Sequence, residues 1–300
     1  MLASPPAPPG APAAATPFEA AVAAFAPRMH ADVRGRDGAP PVLLLHGWGS
    51  SAALMEAAGR PLVETHRVHA LDLPGHGRTP APLRLPAARP GQPGQAWGVP
   101  EVAALVALYI RENGLAPVPV VGHSNGGRIA LTMATDDATA GLISRLVLVS
   151  PSGVTPPRAA GFYLRRAYVA ALKAPFALVP AGPARDRGLA WLRTTLYWRL
   201  VAAGDYAATS DAMRETFVKT VNHLLDDRLG RVRVPTLLVW GDADTAVVRA
   251  QMDTLAREIP DAGLLVLPGA GHYGYLDAYS TYAAAVQSFL GDGKRKEEGG

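Results

Sequence analysis

Short apolar runs that alternate with longer helical patterns are the feature that most restricts how this chain can fold. The runs are continuous rather than alternating in polarity, which is typical of strands covered by helices on both faces of a parallel sheet. The pattern therefore predicts an α/β fold with a mostly parallel central sheet flanked by helices. The predicted strands are Pro41 to Leu45, Val68 to Leu73, Val118 to Val121, Leu146 to Val149, Thr236 to Trp240 and Leu264 to Leu267.

Several of these predicted strands end in turns rich in glycine and polar residues. In open α/β sheets, ligands bind just beyond the carboxyl ends of the strands, so polar side chains in these turns are well placed for chemistry. Functional residues are therefore expected there. The turns are His46 to Gly49, Pro74 to Gly77, Gly122 to Ser124, Gly241 to Asp242 and Pro268 to Gly269.

The turn from Gly122 to Gly126 reads Gly-His-Ser-Asn-Gly and has the form Gly-x-Ser-x-Gly. It follows a predicted strand and precedes a helical pattern, the context in which this motif presents a nucleophilic serine, Ser124. Gly126, Ala130 and Ala134 then recur every four residues, which predicts a helix face that can approach the sheet closely. Five residues alone are weak evidence, because an ordinary turn matches the same pattern by chance.

A nucleophilic serine needs a histidine base and an acid that orients it, and this fold class orders them serine, acid, histidine. Downstream of Ser124, one predicted strand ends at Gly241-Asp242-Ala243-Asp244 and the next is followed by Gly269-Ala270-Gly271-His272. We expect Asp244 to be the acid and His272 the base. Asp242 is interpreted as a residue that stabilises the turn.

At these residues the chain resembles the α/β-hydrolase family, specifically its capped, esterase-like serine hydrolases. The resemblance implies an α/β-hydrolase fold with a helical cap inserted after the sixth strand. It also implies a triad of Ser124, Asp244 and His272, with the main-chain N–H groups of Trp48 and Asn125 as oxyanion donors. It extends from about Pro41 to Leu290 through His46-Gly47-Trp48-Gly49, Asp72-Leu73-Pro74-Gly75-His76-Gly77, Gly122 to Gly127, Gly241 to Asp244 and Gly271-His272.

The chain is expected to divide into a core and a cap between two tails. Residues 1–17 are predicted to be a disordered Ala/Pro-rich leader and residues 291–300 a disordered tail. Residues 18–153 and 231–290 form the predicted core, and residues 154–230 the helical cap. This cap segment carries 11 Lys and Arg against 6 Asp and Glu. Solvated helix faces explain most such charge, and a pocket entrance that favours anionic substrates is the alternative.

Composition excludes several kinds of chemistry. Without cysteine the chain has no thiolate nucleophile, disulfide or cysteine-bound metal. The net charge is only +4 and no basic stripe occurs, so no nucleic-acid partner is expected. We predict no cofactor, no metal site and no membrane span. No secretory signal is recognisable, so a cytoplasmic location is expected. The oligomeric state cannot be read from the sequence.

The favoured function is a serine hydrolase that cleaves a carboxylic ester of a small or medium substrate through an acyl-enzyme on Ser124. The same triad supports hydrolysis of a carbon–carbon bond or acyl transfer to another acceptor. A ligand-binding protein without activity on the same scaffold is a further alternative, because a fold alone does not prove function. The expected partner is a small-molecule acyl substrate.

Overall fold

The computed structural model describes residues 16–85, 94–157 and 209–291, together with scattered positions between 167 and 188. Most of the predicted leader and tail lie outside these residues. So do the helical pattern from Leu189 to Val201 and part of the pattern from Phe162 to Leu172. Residues 16 and 17 belong to the start of the first helix rather than to the leader, because the Thr16 hydroxyl caps that helix by accepting from the Glu19 N–H.

The described strands form one seven-stranded sheet in the order β1-β3-β2-β4-β5-β6-β7. Only the pairing of β1 with β3 is antiparallel, and every other neighbouring pair is parallel. The predicted fold class, a mostly parallel sheet flanked by helices, is confirmed. The strands are β1 (Ala31–Arg34), β2 (Pro41–Leu45), β3 (Arg67–Leu71), β4 (Val118–His123), β5 (Ile143–Val149), β6 (Thr236–Gly241) and β7 (Ala262–Leu267).

Strand β4, which leads to Ser124, contains a proline near its start. A proline lacks the N–H group needed in a central strand, so Pro119 removes one ladder hydrogen bond from the strand predicted from Val118 to Val121. The strand does begin at Val118, which pairs with Ile143, and the register shifts before Val120 pairs with Leu146. The irregularity in the ladder thus accommodates Pro119 without ending the strand.

Successive residues of the central strands pack on opposite faces of the sheet, as the two-residue period of a strand requires. In β2, Leu43 and Leu45 belong to one hydrophobic cluster, whereas Val42 and Leu44 belong to the other. Both faces are therefore buried, which explains why the strand sequences are continuously apolar.

Eight α-helices have both of their ends within the described residues, and they lie on both faces of the sheet. Helices α1, α3, α4 and α6 contribute residues to the first cluster, and α2, α7 and α8 contribute to the second. The helices are α1 (Pro17–Phe25), α2 (Glu56–Gly59), α3 (Val99–Glu112), α4 (Asn125–Ala134), α5 (Asp211–Val221), α6 (Arg249–Glu258), α7 (Gly274–Asp277) and α8 (Tyr279–Gly291). In the part of the chain so described, no helix has the length and apolarity to cross a bilayer.

The segment expected to form the cap leaves the sheet after β5, the fifth of the described strands rather than the sixth. Its two ends are held together where the chain leaves and returns. The Leu225 N–H donates to the Gly153 oxygen at 2.8 Å, and the Thr155 hydroxyl donates to an Asp226 carboxylate oxygen at 2.9 Å. Helix α5 lies within this segment and confirms part of the helical pattern from Asp211 to Leu225.

Candidate active site

Ser124 lies in the sharp turn between β4 and α4, with φ 49° and ψ −110°. A positive φ brings the Cβ atom of a non-glycine residue close to its own backbone and costs free energy, so the surrounding structure must hold it. Three main-chain hydrogen bonds do so: the Ser124 N–H donates to Val149 O at 3.0 Å, and Ser124 O accepts from the N–H groups of Ser152 at 3.0 Å and Arg128 at 3.2 Å. The serine side chain is thereby presented at the carboxyl edge of the sheet.

The glycines around Ser124 allow main chains to approach one another. A Cβ atom on Gly126 would lie 2.0 Å from the oxygen of Leu45 in β2, a distance that no side chain tolerates. A Cβ on Gly47 would lie 3.2 Å from the Cβ of Ser124. The turn after β2, which carries Trp48, is thus packed directly against the turn that carries Ser124.

Asp244 and His272 come together as the sequence predicts. His272 Nδ1 lies 2.8 Å from Asp244 Oδ2, and the Asp244 side chain is completely buried. The other carboxylate oxygen, Oδ1, accepts from the N–H groups of Ala246 at 2.7 Å and Val247 at 3.0 Å. Burial alone would raise the pKa of the Asp244 carboxyl, but the hydrogen bonds from His272 and Val247 outweigh it and hold the pKa below its usual value.

His123, the residue before Ser124, fixes the main chain of His272. Its Nε2–H donates to the His272 carbonyl oxygen at 3.0 Å, and the two rings lie 4.8 Å apart between centroids. Burial, with a smaller contribution from His272, lowers the pKa of His123 to about 3. His123 is therefore neutral at neutral pH and acts as a structural hydrogen-bonding residue.

Ser124 and His272 are not joined by a hydrogen bond in the described structure, although both lie at the carboxyl edge of the sheet. His123 links them, because it precedes Ser124 in the chain and contacts His272. Hydrogen bonds between a nucleophile and its base are often loose before substrate binds.

The two expected oxyanion donors lie in the two turns that pack against each other at Ser124. Asn125 is the first residue of α4, where main-chain N–H groups have no partner within the helix. Trp48 lies in the turn after β2. Within the described residues, neither main-chain N–H group has a hydrogen-bond acceptor. Both are thus available to bind a negatively charged oxygen.

The indole of Trp48 is held from several sides. Its Nε1–H donates to the Thr209 hydroxyl at 3.1 Å, and its ring packs edge-on against Phe217 of α5, with centroids 5.0 Å apart. The His76 ring lies 4.8 Å away on another side. Helix α5 therefore contacts the turn that carries a predicted oxyanion donor.

His46 and Asp72 stabilise the loops beneath the site. His46 Nδ1–H donates to Gly47 O at 2.6 Å, and its Nε2 accepts from the Leu73 N–H at 2.9 Å. Burial lowers the pKa of His46 to about 4, so its ring is neutral. Asp72 Oδ1 accepts from the Ala52 N–H at 2.7 Å. These contacts join the turns after β2 and β3.

A cavity of about 490 Å³ adjoins the candidate site. Cavities of about 510 and 640 Å³ lie elsewhere, the first beside β1 and α2 and the second between α1 and α3. None of the three cavities is lined by Ser124, Asp244 or His272, but the 490 Å³ cavity is lined by Trp48 and by Tyr273, the residue after His272, and is therefore the one next to the candidate site. Its lining includes Trp48, Ser50, His76, Met213 and Tyr273. No group of three or more potential metal ligands occurs among the residues that the structure describes.

Two neighbours of the site were not singled out from the sequence as functional. Ser150 follows β5 and is completely buried close to Asp244, and Phe217 packs on Trp48. Only the position of Ser150 at a strand end could have identified it. Phe217 gave no signal, because an aromatic residue on a predicted helix is ordinarily a packing residue.

Comparison with known proteins identifies the family of the chain. A family model for the alpha/beta hydrolase fold matches residues 40–279. The chain is 25% identical over 266 residues to a pimeloyl-[acyl-carrier protein] methyl ester esterase of Aeromonas hydrophila, covering 84% of this chain and 96% of that protein. It is 28% identical over 261 residues to the dihydrolipoyllysine-residue acetyltransferase component of an acetoin cleaving system of Pseudomonas putida, covering 85% of this chain. The match spans only 65% of that protein's length.

Solved structures share the fold. An esterase from Exiguobacterium antarcticum superposes with a TM-score of 0.62 at 20% identity, over 88% of this chain and 96% of that one. At this level of identity the likeness supports the architecture. Since the family model covers most of the chain, this protein belongs to the α/β-hydrolase fold family.

Proposed function

We propose that this protein is a serine hydrolase that cleaves a carboxylic ester of a small or medium substrate through an acyl-enzyme on Ser124. The observation that carries the proposal is the 2.8 Å hydrogen bond between His272 Nδ1 and the buried carboxylate of Asp244, beside the strained turn of Ser124. A histidine whose Nδ1–H is held by a carboxylate presents the lone pair of Nε2, as a base for a serine hydroxyl requires.

The reaction follows from these roles. His272 Nε2 takes the proton of Ser124 as the hydroxyl oxygen attacks the acyl carbonyl, and the resulting imidazolium then gives the proton to the leaving alcohol. Water, activated by the same ring, attacks the acyl-enzyme and releases the acid. Asp244 remains a carboxylate throughout, and the hydrogen bonds that lower its pKa favour that state.

The negative charge on the carbonyl oxygen is assigned to the main-chain N–H groups of Trp48 and Asn125. Their lack of other acceptors in the described structure supports this role, because a donor already satisfied would gain nothing from the transition state. Loss of one such donor typically costs about 2.7–4 kcal/mol of transition-state stabilisation.

The relatives favour an ester as the substrate. One curated relative is a methyl ester esterase and one similar structure is an esterase, and the family supports an ester-acting hydrolase. The acetyltransferase relative keeps acyl transfer as the alternative, because the acyl-enzyme would be the same and only the acceptor would differ.

We also propose that residues 154–230 form a cap over the site. Helix α5 supports this, because Phe217 packs against Trp48 and Met213 lines the cavity beside the same turn. A cavity of about 490 Å³ is within the range of small-molecule sites and fits a small or medium substrate.

A panel of p-nitrophenyl esters of increasing acyl length, with a vinylogous diketone and an added alcohol acceptor as separate arms, tests the proposal. We expect hydrolysis of the shorter esters by the wild-type protein and none by Ser124→Ala. Faster cleavage of the diketone than of the esters would indicate a carbon–carbon bond hydrolase instead. Transfer of most of the acyl group to the alcohol would indicate an acyltransferase. Equal ester turnover by the Ser124→Ala protein would refute the assignment.

A further inference from the structure

Two neighbouring strands end in a serine with nearly the same unusual backbone. Ser124 follows β4 with φ 49°, and Ser150 follows β5 with φ 44°. In the part of the chain that the structure describes, they are the only residues other than glycine with a positive φ. Glycine adopts such angles freely, whereas a side chain there is strained. The strain at Ser124 accompanies the proposed nucleophile, and the strain at Ser150 has no such explanation.

Ser150 is fixed in place by the sheet. Its N–H donates to Val239 O of β6 at 2.9 Å, and the residue is completely buried. Asp244 comes from the end of β6, where its own N–H donates to Gly241 O at 3.0 Å. The ends of β5 and β6 thus bring Ser150 and Asp244 together on the side of the sheet where His272 lies.

The Ser150 hydroxyl has the carboxyl group of Asp244 as a polar neighbour. It lies close enough to the Asp244 carboxyl to contribute to lowering the pKa of that group. It nevertheless falls short of hydrogen-bond geometry with Asp244 or any other group among the described residues. A buried hydroxyl without a partner loses its hydration and gains nothing in return, so a small rotation that completes the bond to the carboxylate is favourable.

A purely structural role does not explain a serine here. Glycine would relieve the backbone strain, and alanine would avoid the burial of a polar group. A serine here has both a strained backbone and a buried polar group. Such a residue is expected where its hydroxyl group is needed for function.

We propose that Ser150 is a positioning residue whose hydroxyl donates a hydrogen bond to the carboxylate of Asp244 and holds it toward His272. This inference rests on the proposed function, since it assigns a role within the same site. Asp244 would then accept from Ala246, Val247, His272 and Ser150. No proton is transferred from Ser150, and its oxygen does not touch the substrate. His272 and His123 are the titratable groups whose charge acts on the Asp244 carboxyl.

Two substitutions separate the hydroxyl from the backbone strain. Ser150→Ala removes the hydroxyl and keeps the strain, whereas Ser150→Gly removes both. Thr236→Val is the matched control, because Thr236 is also buried, its hydroxyl donates to Val234 O, and it lies at the opposite end of β6. Each variant is measured for kcat and KM on a p-nitrophenyl ester across pH, and for its Tm.

We expect both Ser150 variants to lower kcat about tenfold with little change in KM, because a hydrogen bond to a charged group is lost. The acid limb of the kcat profile should move to higher pH, since a carboxylate that lacks one donor stabilises a protonated His272 more strongly. The Tm of Ser150→Gly should exceed that of Ser150→Ala by about 2–4 °C. Thr236→Val should leave the pH profile unchanged.

Wild-type kcat and pH profile in Ser150→Gly would overturn the proposal, because the hydroxyl would then be dispensable. Loss of activity in Ser150→Ala alone would also overturn it, since Ser150→Gly lacks the hydroxyl as well and would show that the hydroxyl is dispensable.

A proton NMR measurement keeps this test independent of turnover. The Nδ1 proton of His272, assigned by its absence in His272→Asn, should shift downfield in both Ser150 variants as its bond to Asp244 strengthens. If the wild-type protein hydrolysed no substrate but the shift appeared, the proposed function would fail and the contact would stand. An unchanged resonance in both variants would refute the contact itself.

Discussion

His272 Nδ1 and Asp244 Oδ2 are 2.8 Å apart, and the carboxylate is completely buried while the histidine ring is 22% exposed. The acid is thus shielded from water, and the ring still reaches the surface of the site. The contact joins residues 28 positions apart at the ends of two neighbouring strands, β6 and β7. A base that is oriented from within and open on its other side is the arrangement that general-base catalysis needs.

The substitution Asp244→Asn tests this relationship. The amide group that it introduces can donate to His272 Nδ1, which would place the ring proton on Nε2 and block its action as a base. We expect kcat for a p-nitrophenyl ester to fall about 1,000- to 10,000-fold with the fold intact. Circular dichroism and steady-state kinetics check this. A drop of less than about tenfold would show that Asp244 does not orient the base.

Replacement of Gly126 by alanine tests the close packing behind Ser124. The new Cβ would lie 2.0 Å from Leu45 O, so β2 and α4 must separate. We expect the free energy of unfolding to fall by about 3 kcal/mol or more. Gly141→Ala is the control, because a Cβ there meets nothing within 4 Å. Urea unfolding measures both, and equal stability of the two variants would contradict the packing.

The packing of Phe217 on Trp48 predicts a role for α5 in catalysis. Phe217→Ala removes an aromatic contact at 5.0 Å and loosens the turn whose N–H is the proposed oxyanion donor. We expect kcat/KM to fall roughly three- to tenfold. Val218→Ala, at the next and exposed position of α5, should have no effect. If the two variants showed the same kinetics, the contact would have no bearing on the site.

The buried histidines predict how stability depends on pH. Burial lowers the pKa of His46 to about 4 and that of His123 to about 3, whereas both have ordinary values of 6.5 when the chain is unfolded. At pH values between the folded and the unfolded pKa, the unfolded chain binds more protons than the folded protein. The free energy of unfolding therefore decreases as the pH falls below about 6.5. Each ring should contribute about 1.4 kcal/mol per pH unit.

Urea unfolding at pH 7 and pH 5 measures this loss. His123→Gln keeps an N–H donor for the His272 carbonyl but removes one titrating ring, so its dependence on pH should be shallower. A free energy of unfolding that is the same at both pH values would contradict neutral, buried rings.

Most of the sheet could be predicted because its strands are buried on both faces and are therefore continuously apolar. Strand β1 was missed: Ala31–Arg34 alternates polar and apolar residues, is only partly buried and lies at the edge of the sheet. The register shift that accommodates Pro119 was also not predicted, because it depends on the partner strand β5.

The residues of the candidate site could be named from local motifs, but their supports could not. Ser124, Asp244 and His272 each follow a strand and carry a recognisable pattern. The contact of His123 with the His272 carbonyl, and the approach of Ser150 to Asp244, arise between strand ends that are far apart in the sequence. Only the register of the sheet brings them together.

Covalent labelling of Ser124 tests the central claim most directly. The wild-type protein is treated with a fluorophosphonate probe, and the adduct is located by mass spectrometry of proteolytic peptides, with Ser124→Ala and His272→Asn alongside. The account predicts one adduct, on Ser124, none in Ser124→Ala and much slower labelling in His272→Asn. An adduct on another residue, or equal labelling of all three proteins, would contradict it.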